Sequence, residues 1–428
     1  MKTQNSERER ALLVGCSFKS TSKNPNPDEW VVEPKESLDE LAFLAGSAGA
    51  EVVGRLFQER EQIDPAFFIG RGKIEELQER QRQSKADLVV FDENLSPAQL
   101  RNIEKRVDCR IIDRTQLILD IFAHRARTRE GKLQVELAQL NYLLPRLAGK
   151  GVELSQMGGG IGTRRGPGET KLETDQRKIH KRIHKIKEEL EHVRSHRRLH
   201  RAFRSSVPVS TISLVGYTNA GKSTLFNALT DAASYASDQL FATLDPLLRR
   251  LILPSKREAI LTDTVGFINK LPPTLVSAFR ATLEEIGEAD LLLHVIDISS
   301  PHFKQQRRAV LKVLEELGYC AKPMIEVYNK MDLVGDDINL KSHSEPVYVS
   351  ALEKRGFTAL LEKIDQLLPA DPIVTAKLVF SQENGALLSQ LYARGKLIRK
   401  SYVDDKILVE VEAPRSMIDR LKHFRVEA

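Results

Sequence analysis

Residues 210–223 read STISLVGYTNAGKS. Residues 210–215 read as a short strand of the buried type. They pass directly into Gly216-Tyr217-Thr218-Asn219-Ala220-Gly221-Lys222-Ser223, and from Thr224 the chain continues as helix. The octet matches G-x-x-x-x-G-K-[ST] in the strand–loop–helix context that this pattern requires. Its glycines let backbone N–H groups close around phosphate oxygens, and the helix that follows adds the positive end of its dipole. Lys222 is expected to reach the β- and γ-phosphates of a nucleotide and Ser223 to bind Mg²⁺.

Three further motifs follow in order, each after a predicted strand. Leu261-Thr262-Asp263-Thr264-Val265-Gly266 places an Asp at the end of an apolar strand. There Asp263 can hold the magnesium shell through water, and Gly266 can approach a γ-phosphate closely enough to lend its N–H. Phe241-Ala242-Thr243-Leu244-Asp245 lies between, and Thr243 is the only threonine between Thr230 and Thr262. Its hydroxyl can complete the Mg²⁺ shell; a plain loop role is the alternative. Residues 324–328 run into Asn329-Lys330-Met331-Asp332. A carboxylate at Asp332 can accept from N1–H and N2–H₂ of guanine, an edge that adenine does not offer. Such charge-assisted bonds are worth about 1.5–3 kcal/mol each. Asn329 would tie base and phosphate loop together, and the Lys330 stem would cover the ring. Ser350-Ala351-Leu352 closes the set, with the Ala351 N–H suited to guanine O6. Four motifs at strand carboxyl ends predict an open parallel sheet with its ligand in that crevice.

The rest of the chain bounds the setting. Its 428 residues suggest about three domains. Lys and Arg exceed Asp and Glu by 65 − 59 = 6, and the pI is about 9.0, a balance that permits a polyanionic partner. No run of 18 apolar residues is present, which excludes a membrane-spanning helix. The N-terminal residues show no secretory h-region, and the three cysteines are scattered, so a reducing cytoplasm is expected.

Residues 10–125 alternate strand and helix patterns, which argues for a smaller parallel α/β domain. Ser37 with Glu40 reads as a capping box opening a helix over 38–47, and Ser96-Pro97 as the start of another. Leu133, Leu137, Leu140, Leu144 and Leu147, then Ile179, Ile183, Ile186, Leu190 and Val193, each repeat a 4, 3, 4, 3 spacing. That is a coiled-coil seam, most simply an antiparallel hairpin within one chain, so a monomer is expected. Its tip, residues 149–168, holds eight of 24 glycines together with Arg164 and Arg165. From 194 to 204 the second helix carries Arg194, Arg197, Arg198, Arg201, Arg204 and no acid, a field suited to a phosphate backbone; a solvated helix face is the alternative. Residues 372–428 read as a small α+β domain. The expected division is 1–128, 129–205, 206–371 and 372–428.

The motifs GYTNAGKST, FATLDP, DTVGFI and NKMD, with GGGIGTRRGPGETKLETDQR (158–177) and FFIGRGKIEEL (67–77), resemble the HflX family of the translation-factor class of GTPases. The resemblance implies a cytoplasmic GTPase that binds the large ribosomal subunit and its RNA and splits stalled or idle ribosomes. On this reading Lys222, Asn219, Thr243 and Gly266 carry catalysis. Many GTPases place a Gln after D-x-x-G; here the residue is Phe267, so slow intrinsic turnover is expected. Asn219 resembles the Asn that seats K⁺ in potassium-activated GTPases, or else it suits a turn. Two other functions stay open: an ATP-using RNA-remodelling enzyme acting through the N-terminal domain, and a GTP-sensing scaffold for a protein partner. Loose peripheral membrane association has no lipidation motif in its support.

Overall fold

The computed structural model describes residues 8–18, 34–147, 171–205, 209–230, 241, 246–270, 285–334, 346–368, 373–381, 387–388, 391, 395–403, 406–421 and 424–425; the side chains of 171–173, 194, 196–205, 373, 403, 416, 419 and 420 are outside that description.

The N-terminal domain is built from β1 (Arg10–Phe18), α1 (Pro34–Ser47), β2 (Glu51–Arg60), α2 (Arg71–Ser84), β3 (Leu88–Phe91), α3 (Pro97–Glu104), β4 (Arg110–Asp113) and α4 (Arg114–Arg125). Its four strands are all parallel, in the order β2-β1-β3-β4. Strands covered on both faces read as unbroken apolar runs, and β1 and β3 do so. Leu13, Val90 and Ile112 face a core with α1 and α4, while Leu12, Val89 and Ile111 face one with α2 and α3. Ser96 caps α3 as expected, and Gln99 closes a capping box with it. The Ser37 box does not. Helix α1 starts earlier, at Pro34, so Ser37 sits inside its first turn and donates its hydroxyl to Asp92.

Next comes a helix pair, α5 (Arg129–Leu147) and α6 (Lys171–Ser205). Leu133, Leu137 and Leu140 pack against Ile186 and Leu190. Arg129 pairs with Glu189 at 3.1 Å and Arg182 with Glu136 at 2.6 Å, so the partner number falls as the other rises, an antiparallel register. Helix α5 also turns Val135, Ala138 and Tyr142 into the N-terminal core. The hairpin is thereby rooted in that domain. Its tip, including Arg164 and Arg165, lies outside the described residues.

The central sheet contains β5 (Ser210–Gly216), β6 (Leu247–Ile252), β7 (Glu258–Asp263), β8 (Leu291–Asp297), β9 (Met324–Asn329) and β10 (Val347–Tyr348), with α7 (Lys222–Thr230), α8 (Phe303–Glu316) and α9 (Phe357–Leu367) packed on it. The order is β10-β9-β8-β5-β7-β6; only β6 runs antiparallel to its neighbour. Strand β5 lies between β7 and β8, so the loop after it is flanked by the ends of both. A three-stranded antiparallel sheet, β11 (Ile373–Ser381), β12 (Lys396–Val403) and β13 (Lys406–Pro414) in the order β11-β13-β12, and α10 (Arg415–Arg420) form the C-terminal part. Among the described residues no helix is long and apolar enough to cross a membrane.

Candidate nucleotide site

The loop after β5 is held open by glycine. Gly221 has φ +88°, and a Cβ there would stand 2.2 Å from Asn329 Nδ2. Asn329 uses that close approach: its Nδ2 donates to the Ala220 carbonyl at 2.9 Å, and its Oδ1 accepts from the Ala351 N–H at 3.0 Å. One buried side chain thus joins the phosphate loop, the NKMD segment and the Ser350 loop. The Ala351 N–H, expected to serve guanine O6, is spent on Asn329 here. Lys330 adopts a left-handed φ of 65° and pairs with Asp297 at 2.6 Å. Met331 donates its N–H to Val349 O, and Asp332 follows within a single 3₁₀ turn. Leu352 is 78% exposed.

On the other side, Ser223 Oγ donates to Asp263 Oδ2 at 2.7 Å. Lys222 Nζ donates to the carbonyls of Gly216 and Tyr217 at 3.1 and 2.7 Å. Burial pushes its pKa down to about 8, with Asp263 partly opposing. Gly266 packs on the same amine: a Cβ there would lie 2.9 Å from Lys222 Nζ and from Thr218 Cγ2. The Thr218 N–H donates to Phe267 O and the Phe267 N–H to Gly216 O, so the loop after Asp263 is zipped to the phosphate loop. Thr264 Oγ1 is held by Leu214 O. Phe267 is buried among Val215, Tyr217 and Ile286, as its apolar ring requires. Beneath them burial drives His294 down to about 3, so it stays a neutral, weak base. Asn219 is exposed with φ 61°, Ala220 and Val265 are buried, and Thr224 lies in the first turn of α7. Ala242, Thr243, Leu244 and Asp245 lie outside the described residues. So do the side chains of Arg194, Arg197, Arg198, Arg201 and Arg204.

The site also reaches the N-terminal domain, which the motifs did not foretell. Tyr217 of the phosphate loop donates its hydroxyl to Glu40 of α1 and accepts from the Asn269 N–H at 2.8 Å. Arg114, 2% exposed, donates to Glu40, to Asp92 at 2.7 Å and to the Asn269 carbonyl at 3.2 Å. Burial opposes its charge, but Glu40 and Asp92 outweigh it and its pKa rises. Lys270 bridges to Asp92 at 2.7 Å and Glu93 at 2.5 Å. Phe241 sits edge-on to Phe122, ring centres 4.5 Å apart, and Val265 and Ile268 join the N-terminal core. The sequence signal was Arg114, one of several charges set among the apolar residues of RIIDRTQLILDIF.

A phosphate loop sewn to D-x-x-G and N-K-x-D loops on a mostly parallel sheet defines a P-loop GTPase. Three family models match: a GTP-binding GTPase N-terminal model over residues 35–123, a GTP-binding GTPase middle-region model over 125–204, and a 50S ribosome-binding GTPase model over 211–330. The GTPase HflX of Caldanaerobacter subterraneus subsp. tengcongensis is 50% identical over 418 residues, 98% of this chain and 94% of that one. The GTPase HflX of Escherichia coli K12 is 44% identical over 389 residues, 90% of this chain and 91% of that one. A crystal structure of a GTP-binding protein from Sulfolobus solfataricus with GDP aligns at 25% identity and TM-score 0.44, over 84% of this chain and 98% of that one. The chain belongs to the HflX family of GTPases, and it hydrolyses GTP.

Proposed function

We propose that the protein is a cytoplasmic GTP-driven switch that binds the large ribosomal subunit and separates stalled or idle ribosomes into subunits. The observation that carries this reading is the bond from Tyr217 to Glu40. A change in the phosphate loop acts directly on α1, and through the shared core on the helix hairpin. GTP would draw Thr243 and Gly266 to the γ-phosphate, and hydrolysis would release them. A family model described as a 50S ribosome-binding GTPase supports the partner. The Arg-rich end of α6 and the Arg164–Arg165 tip fit contact with ribosomal RNA.

The nucleotide would lie along Gly216, Gly221, Lys222 and Ser223, its guanine against Asn329, Lys330 and Asp332. Ser223 and Asp263 are hard oxygen donors already 2.7 Å apart, a set that fits Mg²⁺ with Asp263 acting through water. The ion would neutralise charge developing on the phosphates. Asn219 would seat K⁺; equal turnover in K⁺ and Na⁺ would remove that role. Sucrose-gradient sedimentation of intact ribosomes tests the main reading. With protein and GTP, free subunits should appear, and deletion of residues 149–168 should abolish them. Intact ribosomes throughout would refute it. ATP use through the N-terminal domain gains less support: Lys73 of the 67–77 stretch is held by Glu76 at 2.7 Å.

A further inference from the structure

Two buried polar side chains meet in one cavity beside the phosphate loop without a hydrogen-bond partner among the described residues. Thr218 and Asn269 are each 7% exposed. Thr218 Oγ1 and Asn269 Nδ2 are both buried, and neither has a hydrogen-bond partner among the described residues. Both line a cavity of about 250 Å³ between α1 and the phosphate loop, which Asn219 and Glu40 also border. Buried polar atoms are nearly always satisfied, so two orphans facing one space point to a polar occupant in the working state.

The neighbours say which occupant. The Cβ position of Gly266 lies 2.9 Å from Thr218 Cγ2 and 2.9 Å from Lys222 Nζ. Thr218 therefore stands beside the amine and the glycine that P-loop chemistry brings to a γ-phosphate. Rotation about χ1 exchanges its methyl and hydroxyl positions, and the hydroxyl both donates and accepts. A GTPase needs a group at this end to hold water in line with the bond that breaks. The residue after Gly266 does not supply it, since Phe267 is buried in an apolar cluster. The cavity has ample room for water, which needs two or more polar partners.

We propose that Thr218 and Asn269 hold the attacking water of GTP hydrolysis, the role that a glutamine after D-x-x-G fills elsewhere. This rests on the reading of residues 216–223 as the phosphate site. The water oxygen bonds to Pγ as the bond from Pγ to the β–γ bridging oxygen breaks. GDP leaves with that electron pair, and the water proton passes to the released phosphate. Asn269 is fixed for the task by its backbone, whose N–H binds Tyr217 and whose carbonyl binds Arg114. Its side chain is left to the cavity.

The test is single-turnover GTP hydrolysis by the full chain without ribosomes, with GDP affinity and trapping of GDP with aluminium fluoride measured alongside. Thr218→Val and Asn269→Leu keep shape and remove the polar atoms. Each should slow hydrolysis at least tenfold and abolish trapping while GDP affinity changes less than twofold. Thr218→Ser should restore most of the rate, and the double variant should lose little more than either single one. Hydrolysis by Thr218→Val and Asn269→Leu at the unaltered rate would overturn the proposal, as would a loss confined to GDP affinity. Should Thr218→Val fail to fold, Asn269→Leu decides the matter by itself, because it leaves the loop's backbone bonds in place. No GDP binding by the unaltered chain would remove the underlying phosphate-site reading as well.

Discussion

The Tyr217 hydroxyl donates to Glu40, 177 residues away in sequence and in a different sheet's layer. The phosphate loop and the N-terminal domain therefore share one buried hydrogen-bond network. Tyr217 is almost fully enclosed, and burial, reinforced by Glu40, holds its pKa well above the usual value. It stays a neutral donor at any working pH. Replacing it by Phe leaves the Glu40 carboxylate and the Asn269 N–H without this partner. An unmade buried bond costs about 1–3 kcal/mol. Urea denaturation of Tyr217→Phe should show a loss of that size; an unchanged midpoint would mean the two domains are not energetically joined here.

Lys222 makes nucleotide binding sensitive to pH. Its pKa without phosphate is about 8, lowered by burial. A bound phosphate favours the charged amine and raises that value, so binding takes up a proton above pH 8. Affinity for GDP should then fall as pH rises, about tenfold between pH 7 and 9. Titration calorimetry in buffers of different ionisation heat should report the proton uptake. A flat affinity profile over that range would contradict the burial of this amine.

Gly221 tolerates no side chain. Its φ is +88°, and an added Cβ would meet Asn329 Nδ2 at 2.2 Å. Gly221→Ala must break the Asn329–Ala220 bond or move the loop, so GDP affinity should fall at least tenfold with secondary structure unchanged by circular dichroism. Gly72→Ala is the control, because a Cβ there meets nothing within 4 Å. Equal GDP affinities for the two variants would refute the account of the loop.

Asp332 should set base choice. Removing its charge in Asp332→Asn leaves guanine N1–H and N2–H₂ without a charged acceptor. Two such bonds at about 1.5–3 kcal/mol each imply at least a hundredfold loss of GDP affinity. Competition binding against ADP should show selectivity collapsing in the variant. Retained preference for GDP would assign the base reading to other residues.

The legible parts of this chain are those where chemistry restricts residue type at fixed spacing. Gly216, Gly221, Lys222, Ser223, Asp263, Asn329 and Asp332 were readable because phosphate, metal and guanine each admit few side chains, and the structure brings them to neighbouring strand ends. The alternating apolar runs gave the parallel N-terminal sheet for the same kind of reason. Ser37 and Glu40 were misread because a capping-box spacing looks the same whatever the acid does; Glu40 is drawn to Arg114 and Tyr217 instead. Asn269 carries no motif, and its place depends on a cavity closed by α1, which no local pattern records. Helix α5 showed its leucine seam but hid Tyr142, whose hydroxyl reaches Asp113 at 2.8 Å on the opposite face. The Ala351 amide went to Asn329 because the two loops approach more closely than their spacing foretells.

The most direct test of the switch is co-pelleting of the full chain with purified large ribosomal subunits, comparing a non-hydrolysable GTP analogue, GDP and no nucleotide. A GTP-driven switch gives strong binding with the analogue, weak binding with GDP, and loss of that difference in Tyr217→Phe. Equal binding in all three states, declining smoothly with salt, would contradict it and leave only a nucleotide-blind grip on RNA.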